Sequence, residues 1–166
     1  MSLDGFIADK NDGLDFLNVV QAEGEDYGYN DFIESVDTVI IGRKTFDKII
    51  SLGVEQPHYD KTVYIITRQA RKDEPPYHYF NGDLKKLVLE LKASEGLDIY
   101  CDGGAEVANE LLRLKLIDEL VISIIPTLLG EGVRLFKEKP QNQSLKLLSS
   151  KNFESGLTQL HYQLER

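Results

Sequence analysis

The stretch IYCDGGAEVANELL, residues 99–112, decides the fold, because a short apolar run meets a helical pattern there at two adjacent glycines. The run that ends at Cys101 is typical of a buried strand. After Gly104, apolar residues recur at three- and four-residue intervals, as on one face of a helix. A strand that passes directly into a helix is the building unit of an α/β fold.

The same pattern repeats along the chain. Three further apolar, largely β-branched runs predict strands at 36–41, 62–67 and 117–125, beside the one at 97–101. Helical patterns occupy 27–36, 42–50, 83–94 and 105–115, and Asp83 is a predicted N-cap. This alternation predicts a three-layer α/β/α fold with a mostly parallel central sheet.

The C-terminal part has a different pattern. Two segments on either side of Gly156, 145–155 and 157–165, predict an antiparallel hairpin. Residues 69–79 and 137–144 are predicted loops because they are rich in charged residues and proline. With 166 residues, the chain is expected to form one domain over 1–166.

Composition excludes several classes of function. The formal net charge of −9 argues against a nucleic-acid or anionic membrane partner. No apolar run approaches about 18 residues, and no signal-peptide pattern opens the chain. The lone Cys101 fits a reducing cytoplasm and is expected to be a small buried residue. His58, His78 and His161 lack metal-ligand spacing, so no metal is expected and all three are interpreted as structural.

Three predicted strands are followed by short segments whose residue types are able to bind phosphate. The carboxyl ends of parallel strands meet at one edge of a sheet, where ligands of α/β proteins bind. The groups are Gly42-Arg43-Lys44-Thr45, Thr67-Arg68 and Asp102-Gly103-Gly104. A glycine pair alone more often marks a tight turn, and a basic first turn alone can be a solvated surface. However, cations at a helix N-terminus oppose the macrodipole by about 0.3–1 kcal/mol unless an anion offsets them. Together the three ends predict a bound dinucleotide with an extra phosphate near Arg43 or Arg68.

Four segments carry a family resemblance: MSLDGFIA (1–8), VIIGRKTFDKI (39–49), YIITR (64–68) and IDELVISIIPTLLGEGVRLF (117–136), together with the opening stretch. They resemble the dihydrofolate reductase-like superfamily, and most of all the reductase domain of the bacterial bifunctional riboflavin-biosynthesis deaminase-reductase. The match runs in order from Met1 to about Phe136. In dihydrofolate reductases the Gly-Gly peptide bond is cis.

The resemblance implies an NADPH-dependent oxidoreductase that reduces a C=N or C=O group of a small heterocyclic substrate. Residues at the three strand ends would hold the cofactor, with Thr67 and Arg68 at the 2′-phosphate and Gly103-Gly104 at the pyrophosphate. The full implied set is Gly42, Arg43, Lys44, Thr45, Thr67, Arg68, Asp102, Gly103, Gly104, Ala105 and Glu106. The resemblance also implies a homodimer, with the C-terminal hairpin or residues 116–126 near the contact.

Asp4 is the candidate proton donor, because by resemblance it lies at the substrate end of the site. Its alternative is an Asx-turn residue, since Asp-Gly is a common turn pair. Asp31 is interpreted as a solvated helix carboxylate. The implied substrate residues are Phe6, Ile7, Leu129, Gly130 and Arg134, for which ordinary core packing or a surface arginine are the alternatives.

The chain departs from the family pattern at three points. The apolar strand that usually precedes Ser-Leu-Asp-Gly is missing, so either the start lies upstream or only a stub of that strand is present. Phe6 stands where the riboflavin enzyme usually has a basic residue, and GRKTFDKI replaces an acidic loop. The prediction is therefore a reductase most like 5-amino-6-(5-phosphoribosylamino)uracil reductase. The alternatives are a dihydrofolate reductase, whose helix carboxylate is replaced by Gly28, and a non-catalytic nucleotide-binding dimer.

Overall fold

The computed structural model describes residues 1–137 and 142–165. In chain order the strands are β1 Phe6–Ala8, β2 Val36–Gly42, β3 Thr62–Ile66, β4 Tyr77–Phe80, β5 Asp98–Cys101, β6 Glu119–Ile124, β7 Val133–Arg134, β8 Leu145–Asn152 and β9 Thr158–Leu164. The α-helices are α1 Tyr29–Glu34, α2 Arg43–Ser51, α3 Leu84–Ala93 and α4 Ala105–Arg113, and a 3-10 helix spans Asp15–Val20.

The chain divides into two compact units. The middle unit comprises Gly28–Leu116, and the terminal unit combines Met1–Tyr27 with Ile117–Arg166. The expectation of a single domain stays a prediction.

The middle unit is built on a parallel sheet. Its strand order is β4-β3-β2-β5, and each neighbouring pair is parallel. The core of this unit consists of buried β-branched residues from β2 and β3 together with Phe46 of α2. Strands covered on both faces are expected to show continuous apolar runs, and residues 39–41 of β2 form such a run and are all buried. The predicted α/β class and parallel sheet are therefore confirmed.

The helices of the middle unit start in two different ways. The side chain of Asp83 accepts hydrogen bonds from the backbone N–H groups of Lys85 and Lys86, as the sequence predicted for the start of α3. In contrast, α1, α2 and α4 follow Gly28, Gly42 and Gly104, and none of these three helices has a side-chain cap. Two helix N-termini at the carboxyl edge of the sheet therefore keep backbone donors free of a capping side chain.

The terminal unit contains two antiparallel sheets. One has the order β6-β9-β8, in which β8 and β9 form the hairpin predicted around Gly156. The other pairs β1 with β7. The core consists of Val20, Ile125 and Leu157, with partly buried aromatic rings around them.

The first residues of the chain belong to this unit. Ser2 forms a parallel bridge with Ile125, and the Ile125 N–H donates to the Met1 carbonyl at 2.8 Å. The Met1 ammonium group donates to the Ser123 carbonyl at 2.6 Å. Residues 1 and 2 thus pair in parallel next to the end of β6, where the resemblance expected the end of a first strand.

Several predicted elements need correction. Residues 77–80, placed mostly in a loop, form β4, because the segment pairs in parallel with β3. The predicted strand at 117–125 pairs antiparallel with β9 and not with the parallel strands. The short strands β1 and β7 were not predicted, because three and two residues are too few for a periodic signal. Residues 138–141 of the predicted loop at 137–144 lie outside the described residues.

Candidate functional site

The ends of β2 and β5 are joined directly. The backbone N–H of Gly42 donates to the Gly103 carbonyl at 2.6 Å, and the N–H of Asp102 donates to the Ile40 carbonyl at 3.0 Å. The Gly103-Gly104 peptide bond is cis, as the resemblance implied. The structure therefore brings the first and third of the predicted phosphate-binding segments together, at the carboxyl ends of two adjacent strands.

Each glycine of this turn is needed for a local reason. A Cβ on Gly104 would lie 2.6 Å from Thr45 Oγ1, and a Cβ on Gly42 would lie 3.2 Å from the Val107 side chain and 3.3 Å from the Gly104 nitrogen. At Gly103 a Cβ would meet open space, but its φ of +87° favours glycine. The turn is packed against the protein at Gly42 and Gly104 and open at Gly103, which lets a ligand approach the backbone.

The first turn of α2 adds hydroxyl and cationic groups. The Arg43 guanidinium is paired with Asp47 four residues later on the same helix. Lys44 is exposed. Thr45 is partly buried against Gly104. To bind a phosphate, the Arg43 guanidinium would have to break its ion pair with Asp47 or contact both groups at once. This ion pair was not predicted from the sequence.

The end of β3 lies close to α4. Arg68 reaches Glu106 on the first turn of α4, with a distance of 3.3 Å between Nη2 and Oε2. The Arg68 side chain is 91% exposed, so this surface pair contributes little to stability and the guanidinium stays available to an anion. The Thr67 hydroxyl accepts from the N–H of Gln69 at 3.2 Å. All three predicted strand ends are therefore linked within the middle unit.

Asp102 has contacts that were not predicted. Its Oδ1 accepts from the Tyr100 hydroxyl at 2.8 Å, and its Oδ2 lies 2.9 Å from His58 Nε2. Burial and then the Asp102 charge raise the pKa of Tyr100 far above its usual range. The sequence interpretation of His58 as merely structural missed this pair, because His58 lies 44 residues before Asp102 and no spacing rule connects them.

In the terminal unit, Asp4 is held by several donors. The Ser2 hydroxyl donates to Asp4 Oδ1 at 2.6 Å. The N–H groups of Leu129 and Gly130 donate to the two carboxylate oxygens at 3.1 and 2.7 Å. The Ser2 hydrogen bond, followed by those two amides, lowers the pKa of Asp4 to about 2. A carboxylate that is ionised and bonded in this way is a poor proton donor at neutral pH, so these contacts favour a loop-anchoring role over the catalytic one.

The other predicted substrate residues surround this anchor. Arg134 lies over the Phe6 ring at 4.5 Å and donates to the Asp4 carbonyl at 3.3 Å. Phe6 is 4% exposed, which favours core packing for its ring. Ile7, between Phe6 and Ala8 on β1, is partly buried. The terminal unit thus gathers Asp4, Phe6, Leu129, Gly130 and Arg134 into one cluster.

Three further features of residues 1–137 and 142–165 concern metal ligands, membrane spans and the thiol of Cys101. No group of three or more His, Cys, Asp or Glu side chains among them could hold a metal ion. No helix within these ranges has the length and apolar character needed to cross a membrane. Cys101 is a free, partly buried thiol, and burial raises its pKa to about 11, so it is protonated at neutral pH.

The middle-unit site is suited to an extended anionic ligand. Helices α2 and α4 start without side-chain caps at Gly42 and Gly104, and such N-termini bind anions. Arg68 adds an exposed guanidinium beside α4. These features are consistent with the phosphates of a dinucleotide.

Two curated proteins are similar to this chain in sequence. YwjB of Bacillus subtilis, an uncharacterized protein, is 37% identical over 163 residues, which cover 98% of this chain and 92% of YwjB. The riboflavin biosynthesis protein RibD of Escherichia coli is 30% identical over 89 residues, which cover 49% of this chain and 24% of RibD.

Solved structures show the same fold. A Shewanella sp. PV-4 protein named for riboflavin biosynthesis superposes with a TM-score of 0.89 and 33% identity, covering 100% of this chain and 96% of that one. The deaminase/5-amino-6-(5-phosphoribosylamino)uracil reductase of Thermotoga maritima has a TM-score of 0.70 at 13% identity and covers 99% of this chain and 54% of that one. The latter likeness concerns the fold alone.

The family follows from a match over nearly the whole chain. The model of the RibD C-terminal domain matches residues 1–159. This is a family of reductases related to riboflavin biosynthesis. The chain therefore belongs to the RibD C-terminal domain family.

Proposed function

We propose that this protein is an NADPH-dependent reductase of a small heterocyclic substrate, most like 5-amino-6-(5-phosphoribosylamino)uracil. The observation that carries the proposal is the joined edge of the parallel sheet. There, the Gly42 N–H bonds the Gly103 carbonyl, two helices start without side-chain caps, and Arg68 lies beside α4. These groups together match the phosphates of a dinucleotide.

The cofactor would be held by backbone and side chains of the middle unit. The Gly103-Gly104 backbone and the start of α4 would bind the pyrophosphate, and Thr45 would support Gly104. Arg68 and Thr67 would bind the 2′-phosphate, since a guanidinium holds phosphate through two N–H donors. When bound, NADPH supplies a hydride to the substrate.

The substrate assignment is supported by different residues. Gly28 occupies the position in which a folate reductase would carry its carboxylate, and Asp31 is exposed on α1. The aminouracil is therefore a better candidate than dihydrofolate. In the terminal unit, Arg134 keeps an exposed guanidinium over Phe6 that would suit a substrate phosphate. We propose that Ile7, Leu129 and Gly130 contact the substrate together with Arg134.

Titration and turnover with the purified protein test the proposal. NADPH fluorescence should change on binding, and NADPH should then be oxidised when the aminouracil substrate is added. Oxidation with dihydrofolate alone would replace the aminouracil assignment. Binding without oxidation of either compound would favour a non-catalytic nucleotide-binding protein, and absence of binding would refute the proposal.

The role of Arg68 can be tested by cofactor selectivity. Arg68→Ala should weaken NADPH binding by roughly 10–100-fold, the loss expected for one charge-assisted hydrogen bond, with little effect on NADH. Arg43→Ala should act in the same direction but less, because its guanidinium is already paired with Asp47. Arg113→Ala is the matched control, since Arg113 pairs with Glu110 at the other end of α4. Equal losses for both cofactors would contradict a contact with the 2′-phosphate.

The proposal includes a homodimer in the cytoplasm. All eight residues of β8 are exposed, and β8 is an edge of its sheet. Exposed edge strands with apolar side chains are prone to pair with another chain. A second copy covering β8 would agree with the contact near the C-terminal hairpin that the family resemblance implies.

A further inference from the structure

We propose that His58, oriented by Asp102, is the group that gives a proton to the substrate, so that this histidine is catalytic and Asp102 is its positioning residue. This inference rests on the proposed reductase function. It assigns a role to an imidazole that neither the phosphate-binding edge nor the Asp4 cluster uses.

The pair occupies a fixed place beside the glycine turn. Asp102 directly precedes Gly103, and its backbone N–H is tied to Ile40 of β2 at 3.0 Å. Its carboxylate is held at both oxygens, by the Tyr100 hydroxyl and by His58 Nε2. An imidazole in contact with an oriented carboxylate is the arrangement that fixes the ring for proton transfer.

The segment between α2 and β3 is shaped to present this ring. Residues 52–56 of the segment are exposed, yet the His58 side chain is only 10% exposed and that of Asp102 is 21% exposed. The Tyr77 hydroxyl donates to the Pro57 carbonyl at 3.1 Å, and the Lys61 N–H donates to the His58 carbonyl at 2.9 Å. His58 itself has a φ of +56°, which non-glycine residues rarely adopt. An exposed segment is thus tied down on both sides of one inward-facing histidine.

The negative charge of Asp102 suits the nicotinamide and the reducible bond of the substrate better than it suits the phosphates of the cofactor. A carboxylate would repel a pyrophosphate, whereas the uncharged nicotinamide amide and the substrate carbonyl or imine tolerate it. Burial, and after it the charges of Asp102 and Asp60, raise the pKa of Tyr29, as burial and Asp102 do for Tyr100. Asp60 is itself paired with Lys61 at 3.2 Å. Both hydroxyls therefore give up a proton less readily than an ordinary tyrosine does.

Reduction of the C=N or C=O bond needs a hydride at carbon and one proton at nitrogen or oxygen. A bound NADPH would supply the hydride with both electrons, and the π electrons of the double bond would move to the heteroatom. Protonated His58 gives that atom a proton from Nδ1 while Nε2 remains bonded to Asp102. Water then returns a proton to the ring, so one NADPH and one proton yield NADP⁺ and the reduced substrate.

Two variants of His58 separate proton transfer from support of the loop. In His58→Gln, the amide nitrogen can still donate to Asp102 but cannot transfer a proton. We expect kcat for aminouracil-dependent NADPH oxidation to fall by about 100-fold or more, as for loss of a general acid, with the Kd for NADPH within about threefold of the original. His58→Ala should show the same loss, and added imidazole should restore part of its kcat.

The matched control is His78→Gln. His78 Nδ1 lies 2.9 Å from Asp73 in the same unit, so it repeats the imidazole–carboxylate contact away from the glycine turn. Its kcat should not change. Asp102→Asn should lower kcat more than it changes the Kd for NADPH, because the ring loses its orienting charge.

The outcomes distinguish this inference from the proposed function. If the unmodified protein neither binds nor oxidises NADPH, the proposed function fails and the role of His58 fails with it. If it turns over and His58→Gln retains more than about one third of kcat, the reductase stands and only His58 is excluded, since loss of a general acid costs far more. A low kcat in both variants without rescue by imidazole would mean that His58 only supports the loop, which also overturns the inference.

Discussion

At the scale of single residues, the site depends on the absence of side chains. Gly104 has an extended backbone, with φ −73° and ψ −167°, so its conformation would accept any residue. The obstacle to a side chain is the Thr45 hydroxyl, 2.6 Å from the position of a Cβ. The glycine pair therefore reflects close packing of α2 against the turn at Gly104 and a left-handed conformation at Gly103.

This crowding gives a testable pair of substitutions. Gly104→Ala should destabilise the protein by about 1–3 kcal/mol, the usual cost of overpacking, and should weaken NADPH binding. Adding Thr45→Ala removes the crowded hydroxyl and should recover most of the stability. Thermal melts of the single and double variants measure this. Additive losses in the double variant would contradict the packing argument.

Asp4 makes a second prediction at this scale. Its pKa of about 2 lies below its ordinary value of 3.8, so the folded state favours the ionised form. The stabilisation is present above pH 3.8 and is lost as the pH falls through about 2. Asp4→Asn should therefore melt at a lower temperature than the original protein at neutral pH, and the difference should shrink as the pH falls through that window. A difference in melting temperature that does not depend on pH would contradict the ionised carboxylate as its source.

The local consequence of the same substitution can be measured separately. Asp4→Asn should speed hydrogen exchange at the Leu129 and Gly130 amides, which donate to the carboxylate. The control is the Gly156 amide, which bonds the Phe153 carbonyl at 2.9 Å in the hairpin turn and should exchange at its original rate. Unchanged exchange at Leu129 and Gly130 would refute the anchoring role.

At the scale of secondary-structure elements, the helices divide by how they begin. A side chain caps α3, whereas α1, α2 and α4 all start after a glycine without a side-chain cap, and α2 and α4 start next to the candidate site. The uncapped starts of α2 and α4 suit the proposed dinucleotide site, because a capping side chain would compete with the phosphate for the same N–H groups.

The capped helix provides the corresponding prediction. Asp83→Ala removes the acceptor for the Lys85 and Lys86 amides and should lower the free energy of unfolding by about 0.5–2 kcal/mol. NADPH affinity should stay the same, since α3 is not part of the proposed site. Denaturant unfolding and NADPH titration of the same variant check both parts. A large loss of affinity would mean that α3 contributes to the site.

At the scale of the whole molecule, the exposed strand β8 is the feature to test. Leu145, Leu147 and Leu148 on this strand are 44%, 51% and 42% exposed. If a second copy covers them, Leu147→Lys should shift the protein from dimer to monomer in sedimentation velocity, with NADPH binding retained. Leu89→Lys, at a residue of α3 that is 48% exposed, is the matched control and should leave the dimer intact. A monomeric unmodified protein would refute the homodimer.

The sequence by itself determined the elements that have strong periodic patterns. The parallel strands β2, β3 and β5, the cap of α3 and the C-terminal hairpin were all predicted, because buried runs, capping residues and hairpin turns are local signals. It also placed the three candidate phosphate-binding groups at one sheet edge, since parallel strands end together. Short elements such as β1, β4 and β7 were missed or placed in loops, because they depend on their partner strands.

Only the tertiary structure decided what the polar side chains do. Asp4, predicted as a proton donor, is bonded by Ser2 and by two amides from residues 129 and 130. His58, predicted as structural, contacts Asp102 across 44 positions of sequence. The physical reason is that backbone propensity and apolar burial act over neighbouring residues. The protonation and partners of a side chain depend on groups brought close only when the chain folds.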